Sequence, residues 1–470
     1  MIRRPSTAFL RHVSARIGVD RAVIYGMLGT AQVFLTGPVT ALIIAFSLTT
    51  EVQGYYYTFA ALLALQVLVE LGFAQVIMQF ASHEWAHLRL RDDRSIEGDD
   101  DALSRLRSLA RLSTKWYWRF SALLGTGLAV AGILFFNDAG SSHVGWKGPW
   151  IAIALLTAVD FMMLPLWSLL QGANQVAAVN FARLVSGLLL VVMLWGGLTL
   201  GAGLWSVAAA KVVSLSWDIG YVVRYRRFFG SLLRKRTGPA INWRSEILPV
   251  QWRTAVTYMS SYFVFSLFVP VIFRYEGPAE AGRWGMTWGL VMAVSALSTS
   301  WFYTRAPAFG VLIAQRRYAE LDAAWRKVTA GAIGLCFLTS AVGVSVIAGI
   351  RATDLELGNR LLPAGTAACL FAAIVLTQIS VAQSTYLRAH KAEPLFALSF
   401  VTGVCIAGMT VVLGAIWGTT AIAVGYLAFT ALVVLPWTTR LFTRLRREWH
   451  APEIGADDET RDGRDLVSAQ

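Results

Sequence analysis

Apolar stretches of about 20 residues recur along the whole chain, separated by shorter polar segments. A helix of about 20 apolar residues is long enough to cross the ~30 Å hydrocarbon core of a bilayer. Helices are also the economical structure there, because each backbone polar group must be satisfied inside the segment. The pattern predicts about twelve spans, at residues 22–48, 54–80, 116–136, 148–170, 177–200, 202–223, 248–273, 281–304, 328–349, 361–387, 393–416 and 419–439.

Lysine and arginine alternate between successive connections. If the N-terminus is placed inside, 32 of the 41 cations lie on inside segments and five lie on outside loops. The inside segments are 1–21, 82–115, 224–247, 305–327, 388–391 and the tail from Arg440. Such a bias is the positive-inside rule, so we expect a multi-pass inner-membrane protein with both termini in the cytoplasm.

Composition narrows the class further. A mean hydropathy of +0.56 with only 15% charged residues lies outside the range of ordinary soluble domains. The net charge of +13 flanks the apolar runs, which favours anionic membrane lipids as partners and argues against nucleic acid. The apolar run 22–48 is too long for a signal peptide and is expected to be a retained span. The cysteines lie inside apolar runs without paired spacing, so no disulfide framework or metal site is expected.

The polar segment from Arg224 to Glu246 divides the spans six and six. We therefore predict an all-α fold with two six-helix lobes around a central cavity. Gly37-Pro38 in the first span and Pro270 in the seventh predict interruptions, because proline removes a backbone donor; alternatively, both only shape packing. The predicted units are a lobe at 1–223, a basic linker at 224–247, a lobe at 248–447, and a disordered cytoplasmic tail at 448–470.

Five ionisable residues fall within the predicted spans away from their ends: Glu70, Asp160, Lys211, Asp218 and Arg253. A charged group at the centre of a span costs ~2.5–3.5 kcal/mol or more, so it usually faces a partner or a cavity. Counting the rise per residue puts Asp160 and Lys211 at similar depths, where they could pair. Asp218 lies nearer the inner side, as does Arg183 of span five. Two interpretations stay open for these groups: ion pairs that fix packing, or a polar path for sugars and coupling protons.

Arg253 begins a stretch of span seven, PVQWRTAVTYMSSYF, that is rich in hydroxyl and aromatic side chains. A guanidinium can bind a diphosphate with two parallel hydrogen bonds and keeps its charge at any cellular pH. Hydroxyls and rings on the same helix suit sugar rings. The alternative is an arginine that snorkels to the inner headgroups.

Three segments carry a family resemblance: QGYYYTFAALLALQVLVELGFAQVIMQFASHE (53–84), LLQGANQVAAVNFARL (169–184) and PAFGVLIAQRRYAELDAAWRKV (307–328). They resemble polysaccharide exporters and Wzx-type O-antigen flippases of the multidrug/oligosaccharidyl-lipid/polysaccharide (MOP) superfamily. The resemblance implies alternating-access flipping of a polyprenyl-diphosphate-linked oligosaccharide. The expected partners are that lipid-linked glycan, used for lipopolysaccharide or other polysaccharide synthesis, and glycan-assembly proteins. Arg253, Glu70, Asp160 and Lys211 are the expected substrate-binding residues.

Two other functions compete with this prediction. A cation-coupled multidrug exporter shares the architecture, but that group typically places an acid in span one, and residues 22–48 contain no carboxylate. A membrane-embedded oligosaccharide polymerase or ligase would need a large external loop with clustered catalytic groups. The longest external connections here, near 136–147 and 349–360, are short, and no catalytic motif stands out. We therefore predict a protein that is not an enzyme and that uses no cofactor or metal.

Overall fold

The computed structural model describes residues 21–138, 143–234, 238–353, 356–390 and 395–450, without the side chains of 303, 304, 306 and 307. The N-terminal cations before Arg21, Lys391 and most of the predicted disordered tail therefore lie outside the described residues.

The first half of the chain consists of helices and one short hairpin. In chain order these are α1 (Arg21–Ser47), α2 (Thr50–Leu63), α3 (Gln66–Glu70), α4 (Phe73–Trp85), β1 (Leu88–Leu90), β2 (Ile96–Gly98), α5 (Asp100–Asp138), α6 (Lys147–Gly172), α7 (Val176–Thr199), α8 (Trp205–Val223) and α9 (Arg226–Leu233).

The second half begins with a π-helical turn, Trp243–Ile247, that leads directly into its first helix. It continues as α10 (Leu248–Phe265), α11 (Phe268–Glu276), α12 (Pro278–Ala314), α13 (Tyr318–Ala352), a 3-10 turn (Glu356–Arg360), α14 (Ala364–Ala389), α15 (Phe396–Ile416), α16 (Gly418–Phe429), a second π-helical turn (Thr430–Val434) and α17 (Leu435–His450).

Eleven helical segments among the described residues are long and apolar enough to cross a membrane. A further 37-residue helix, α12, lies where the eighth span was predicted. The prediction of a polytopic all-α membrane protein is thus confirmed. We number the spans one to twelve in chain order; α2 to α4 form span two, α10 and α11 form span seven, and α16 to α17 form span twelve.

Proline interrupts span seven but not span one. Span seven breaks at Ser266 and Leu267, between α10 and α11. The ring of Pro270 would clash with the carbonyl four residues earlier, on Ser266, so the interruption falls where this clash requires it. The predicted interruption at Gly37-Pro38 is wrong, because α1 runs through Pro38. Hydroxyls of Thr36 and Thr40 bond to backbone carbonyls nearby, and such bonds help membrane helices to tolerate proline.

Span two contains an interruption that the hydropathy pattern does not predict. Leu71 and Gly72 adopt left-handed backbone conformations, with φ of 54° and 65°, and separate α3 from α4. Leu71 is a non-glycine residue in this region, which is uncommon. A Cβ added at Gly72 would lie 2.5 Å from the Thr254 side chain of span seven. The interruption therefore coincides with a close contact between the two halves.

The predicted inside segment 82–115 is ordered. Strands β1 and β2 pair antiparallel, with Leu88 opposite Gly98, and α5 begins at Asp100, well before the predicted span. Hydrogen bonds from Arg91 and Arg89 lower the pKa of the Glu97 carboxyl in β2 to about 2. We call the end of the molecule that carries this hairpin the hairpin end, and the opposite end the far end.

Most packing occurs within each half. In the first half α1 packs on α7, α7 on α8, α5 on α6, and α4 on α6. In the second half α12 to α14 pack together, α10 packs on α15, and α14 contacts both segments of span twelve. The halves meet mainly where α2 lies along α12, and where span seven contacts α2, α3 and α4.

Candidate substrate-binding site

Asp160 and Lys211 form the ion pair that the sequence predicts. Helices α6 and α8 pack side by side, and the Lys211 Nζ lies 2.7 Å from Asp160 Oδ2. The side chains are 30% and 20% exposed, respectively, so the pair is partly shielded. Each charge offsets the other at a depth where a lone charge would be costly.

Asp218 is bound differently from the expected ion pair with Arg183. It is 8% exposed, and its Oδ2 accepts a hydrogen bond of 3.0 Å from the Ser186 hydroxyl. Its Oδ1 has no hydrogen-bond partner among the described residues. The Arg183 guanidinium instead lies over the Trp167 ring, 5.8 Å from its centroid, and influences Asp218 only electrostatically.

Glu70 lies at the interruption of span two. It is the last residue of α3, and its carboxylate accepts a hydrogen bond from the backbone N–H of Ala74 in the first turn of α4. A carboxylate at a helix N-terminus satisfies a donor that has no partner within the helix and complements the helix dipole. Arg183 and Tyr258 also interact electrostatically with Glu70. Glu70 thus helps to hold the interrupted helix in addition to any contact with substrate.

Arg253 is exposed and lies in the second half, away from the Asp160–Lys211 pair. Its guanidinium is 5.6 Å from the centroid of the Trp252 ring, and it forms no ion pair with a described residue. Trp252 is itself 47% exposed and contacts Phe396 at its edge. The structure therefore brings together two of the four predicted site residues and leaves Glu70 and Arg253 separate.

A tight junction at the far end was not predicted from the sequence. The Gln53 side chain of α2 donates to the carbonyls of Gly282, at 2.9 Å, and Arg360, at 3.3 Å, and Arg274 pairs with Asp138 at 2.6 Å. A Cβ added at Gly54 would lie 1.9 Å from the Pro278 carbonyl oxygen. The available signal was the small residues of α12, Gly282 and Gly285, whose spacing permits close helix approach. In this conformation the halves are closed together at the far end.

Among the described residues, no group of three or more histidine, cysteine, aspartate or glutamate side chains could hold a metal ion. His83 and His87, which are four residues apart, gain no third ligand there. The described acids are instead paired, hydrogen-bonded or exposed.

The architecture matches solved transporters, although no protein-family model matches the sequence and no curated protein does so. A MATE-family multidrug resistance transporter of the MOP superfamily, in an inward-facing conformation, aligns over 90% of this chain and 99% of its own, with a TM-score of 0.62 and 13% identity. The lipid II flippase MurJ, in an inward closed conformation, aligns over 89% and 87%, with a TM-score of 0.61 and 12% identity. This chain has the MOP-transporter fold.

The MOP-transporter fold is common to neighbours with different cargoes. The MATE multidrug transporter DinF-BH, solved in complex with a ligand, has a TM-score of 0.59 and 16% identity, and covers 92% of this chain and 95% of its own. The likeness therefore includes both multidrug transporters and a lipid flippase. The fold supports a transporter or flippase rather than an enzyme, and the cargo must be argued from this chain's own residues.

Proposed function

We propose that this protein flips a polyprenyl-diphosphate-linked oligosaccharide across the inner membrane by alternating access. The observation that carries the proposal is Arg253, a cation on span seven that no described carboxylate neutralises. An exposed guanidinium next to a helix face of hydroxyls suits an anionic headgroup that bears sugars. The same charge would repel the cationic compounds that many multidrug exporters carry.

The acids of the first half agree with this proposal. Asp160 is neutralised by Lys211, and α1 contains no carboxylate that could attract a cation. The hairpin end would face the cytoplasm, where its arginines would meet anionic lipids and glycan-assembly proteins. Substrate would enter from that side while the far-end junction stays closed.

A cation-coupled multidrug exporter is the second candidate, because Asp218 is a buried carboxylate with an unpartnered oxygen. Comparison of a deletion strain with the complemented strain separates the two functions. Under our proposal, lipid-linked glycan accumulates on the inner leaflet of the deletion strain, while dye resistance is unchanged. Normal glycan export together with altered dye resistance would refute the proposal and favour the exporter.

A further inference from the structure

A cavity of about 260 Å³ lies inside the second half, between spans seven, ten, eleven and twelve. Its wall is unusual because all four spans contribute hydroxyl groups. Those used in the argument below are Thr257, Ser260, Ser380, Ser384, Thr402 and Thr438. Arg388 lines the cavity at one end of α14, and no carboxylate lines it.

Most of these hydroxyls face the cavity as hydrogen-bond acceptors. Ser260 donates to the Val256 carbonyl at 2.7 Å, Ser384 to Ser380 at 2.6 Å, and Thr438 to Val434 at 2.7 Å. A hydroxyl that donates to its own helix keeps its oxygen lone pairs available. The wall therefore suits a ligand with many O–H donors.

Two hydroxyls have no partner in the described structure. Ser380 Oγ is buried on a residue that is only 7% exposed, and Thr402 Oγ1 is likewise buried without a hydrogen bond. A buried polar group without a partner costs about 1–3 kcal/mol, so an apolar ligand would leave that penalty in place. Both groups line the cavity and can donate as well as accept.

The remaining wall limits the ligand class. A hard metal cation prefers carboxylate and carbonyl oxygens, which the lining side chains do not supply, and Arg388 would repel it. Val264 and Phe265 add an apolar side to the wall. A sugar ring has both hydroxyl edges and C–H faces, and it can carry an anionic group toward the arginine. The volume lies below the ~300–1,000 Å³ of pockets for drug-sized ligands, which suits one ring rather than a chain.

We propose that this cavity binds one sugar ring of an anionic saccharide, with the anionic group toward Arg388. Thr257 contributes to the wall one helical turn after Arg253, and its hydroxyl bonds to the Arg253 carbonyl. The cavity thus lies about 6 Å along the helix from the arginine assigned to the diphosphate. The inference deepens the proposed transport function and rests on it for the origin of the sugar.

The test is a binding titration by saturation-transfer difference NMR on the purified full-length protein in detergent. The probes are glucose 1-phosphate, N-acetylglucosamine 1-phosphate and inorganic phosphate. We expect at least one sugar phosphate to bind more tightly than phosphate alone. Ser380→Ala and Thr402→Val should each weaken that binding about 5-fold, since each removes one hydrogen bond. Thr402→Ser should retain parental affinity.

Thr410→Val is the matched control. Thr410 lies on the same helix as Thr402 and is also buried without a hydrogen-bond partner, but it does not line the cavity. The inference is overturned if neither sugar phosphate binds the parental protein, if inorganic phosphate binds equally well, or if Thr410→Val weakens binding as much as Thr402→Val. Lost sugar binding with intact glycan export would remove only this site. Sugar binding in a protein whose deletion leaves glycan export unchanged would remove only the proposed function.

Discussion

Replacing Gly54 with alanine should open the far-end junction. The new Cβ would lie 1.9 Å from the Pro278 carbonyl oxygen and 2.5 Å from its carbon, whereas ordinary contacts begin at 3.4 Å. The α2 and α12 backbones would therefore have to separate by roughly 1.5 Å, the difference between 3.4 and 1.9. Overpacking of this kind costs about 1–3 kcal/mol. That penalty lowers the ratio of closed to open far ends roughly 5- to 150-fold, because 1.4 kcal/mol is tenfold.

The separation can be measured by electron–electron resonance between spin labels at Lys147 and Glu356, in a background without the three native cysteines. Both positions are exposed at the far end, one in each half. We expect Gly54→Ala to move the distance distribution to longer values. The matched control is Gly289→Ala on α12, where an added Cβ meets nothing within 4 Å. Both variants gain the same helix propensity, so only the clash differs.

An unchanged distribution in Gly54→Ala would refute the idea that this backbone contact holds the far end closed. An equal shift in Gly289→Ala would refute it as well, because that substitution introduces no clash.

Three further predictions concern the charges and the topology. Asp160→Asn should destabilise the protein by ~2–3 kcal/mol, because Lys211 stays shielded without a partner, and adding Lys211→Met should restore the protein level on membrane immunoblots. Arg253→Lys should lower glycan export about 10-fold at normal expression, because the paired hydrogen bonds of the planar guanidinium are lost. Reporter fusions after residues 140 and 236, both outside the described residues, should report opposite sides of the membrane.

Each of these predictions has a contradicting result. A double variant no more abundant than Asp160→Asn would mean that the ion pair is not what the single substitution disrupts. Export at the parental rate in Arg253→Ala would make Arg253 an interface anchor. Two fusions that both report cytoplasm would show that the list of spans is wrong.

Hydropathy predicts the number and order of spans well because the bilayer sets their length. It does not predict where a helix continues into the polar region. Helix α5 begins at Asp100 and α12 ends at Ala314, since amphipathic turns pack on neighbouring polar segments there. The hairpin at 88–98 was missed for a related reason: its strands have three residues each, too few for an alternating pattern to register.

The candidate site was predictable only where two opposite charges share a depth. Asp160 and Lys211 meet because adjacent antiparallel helices place them at one level. Glu70 caps α4, and this role depends on a left-handed Leu71 that no hydropathy pattern reveals. The interruption of span seven followed from Pro270, whereas Pro38 produced none. Whether a proline breaks a helix depends on neighbouring hydroxyls and tertiary contacts, which one sequence does not specify.

The segment that joins the two halves is fastened to the first half on both sides of residues 235–237. Before them, Arg107 and Arg111 donate to the carbonyls of Ser231 and Leu233. After them, the hydroxyls of Ser104 and Ser108 accept from the Gly238 and Ile241 amides.

Farther along, Arg105 pairs with Glu246 at 2.6 Å, immediately before α10. A rocking movement of the halves therefore finds no slack in this segment and must become torsion inside the membrane, at the joint between Ser266 and Leu267. Covalent continuity at 235–237 then adds little mechanically. Two fragments, produced by severing the chain there and expressed together, should reassemble into one transporter.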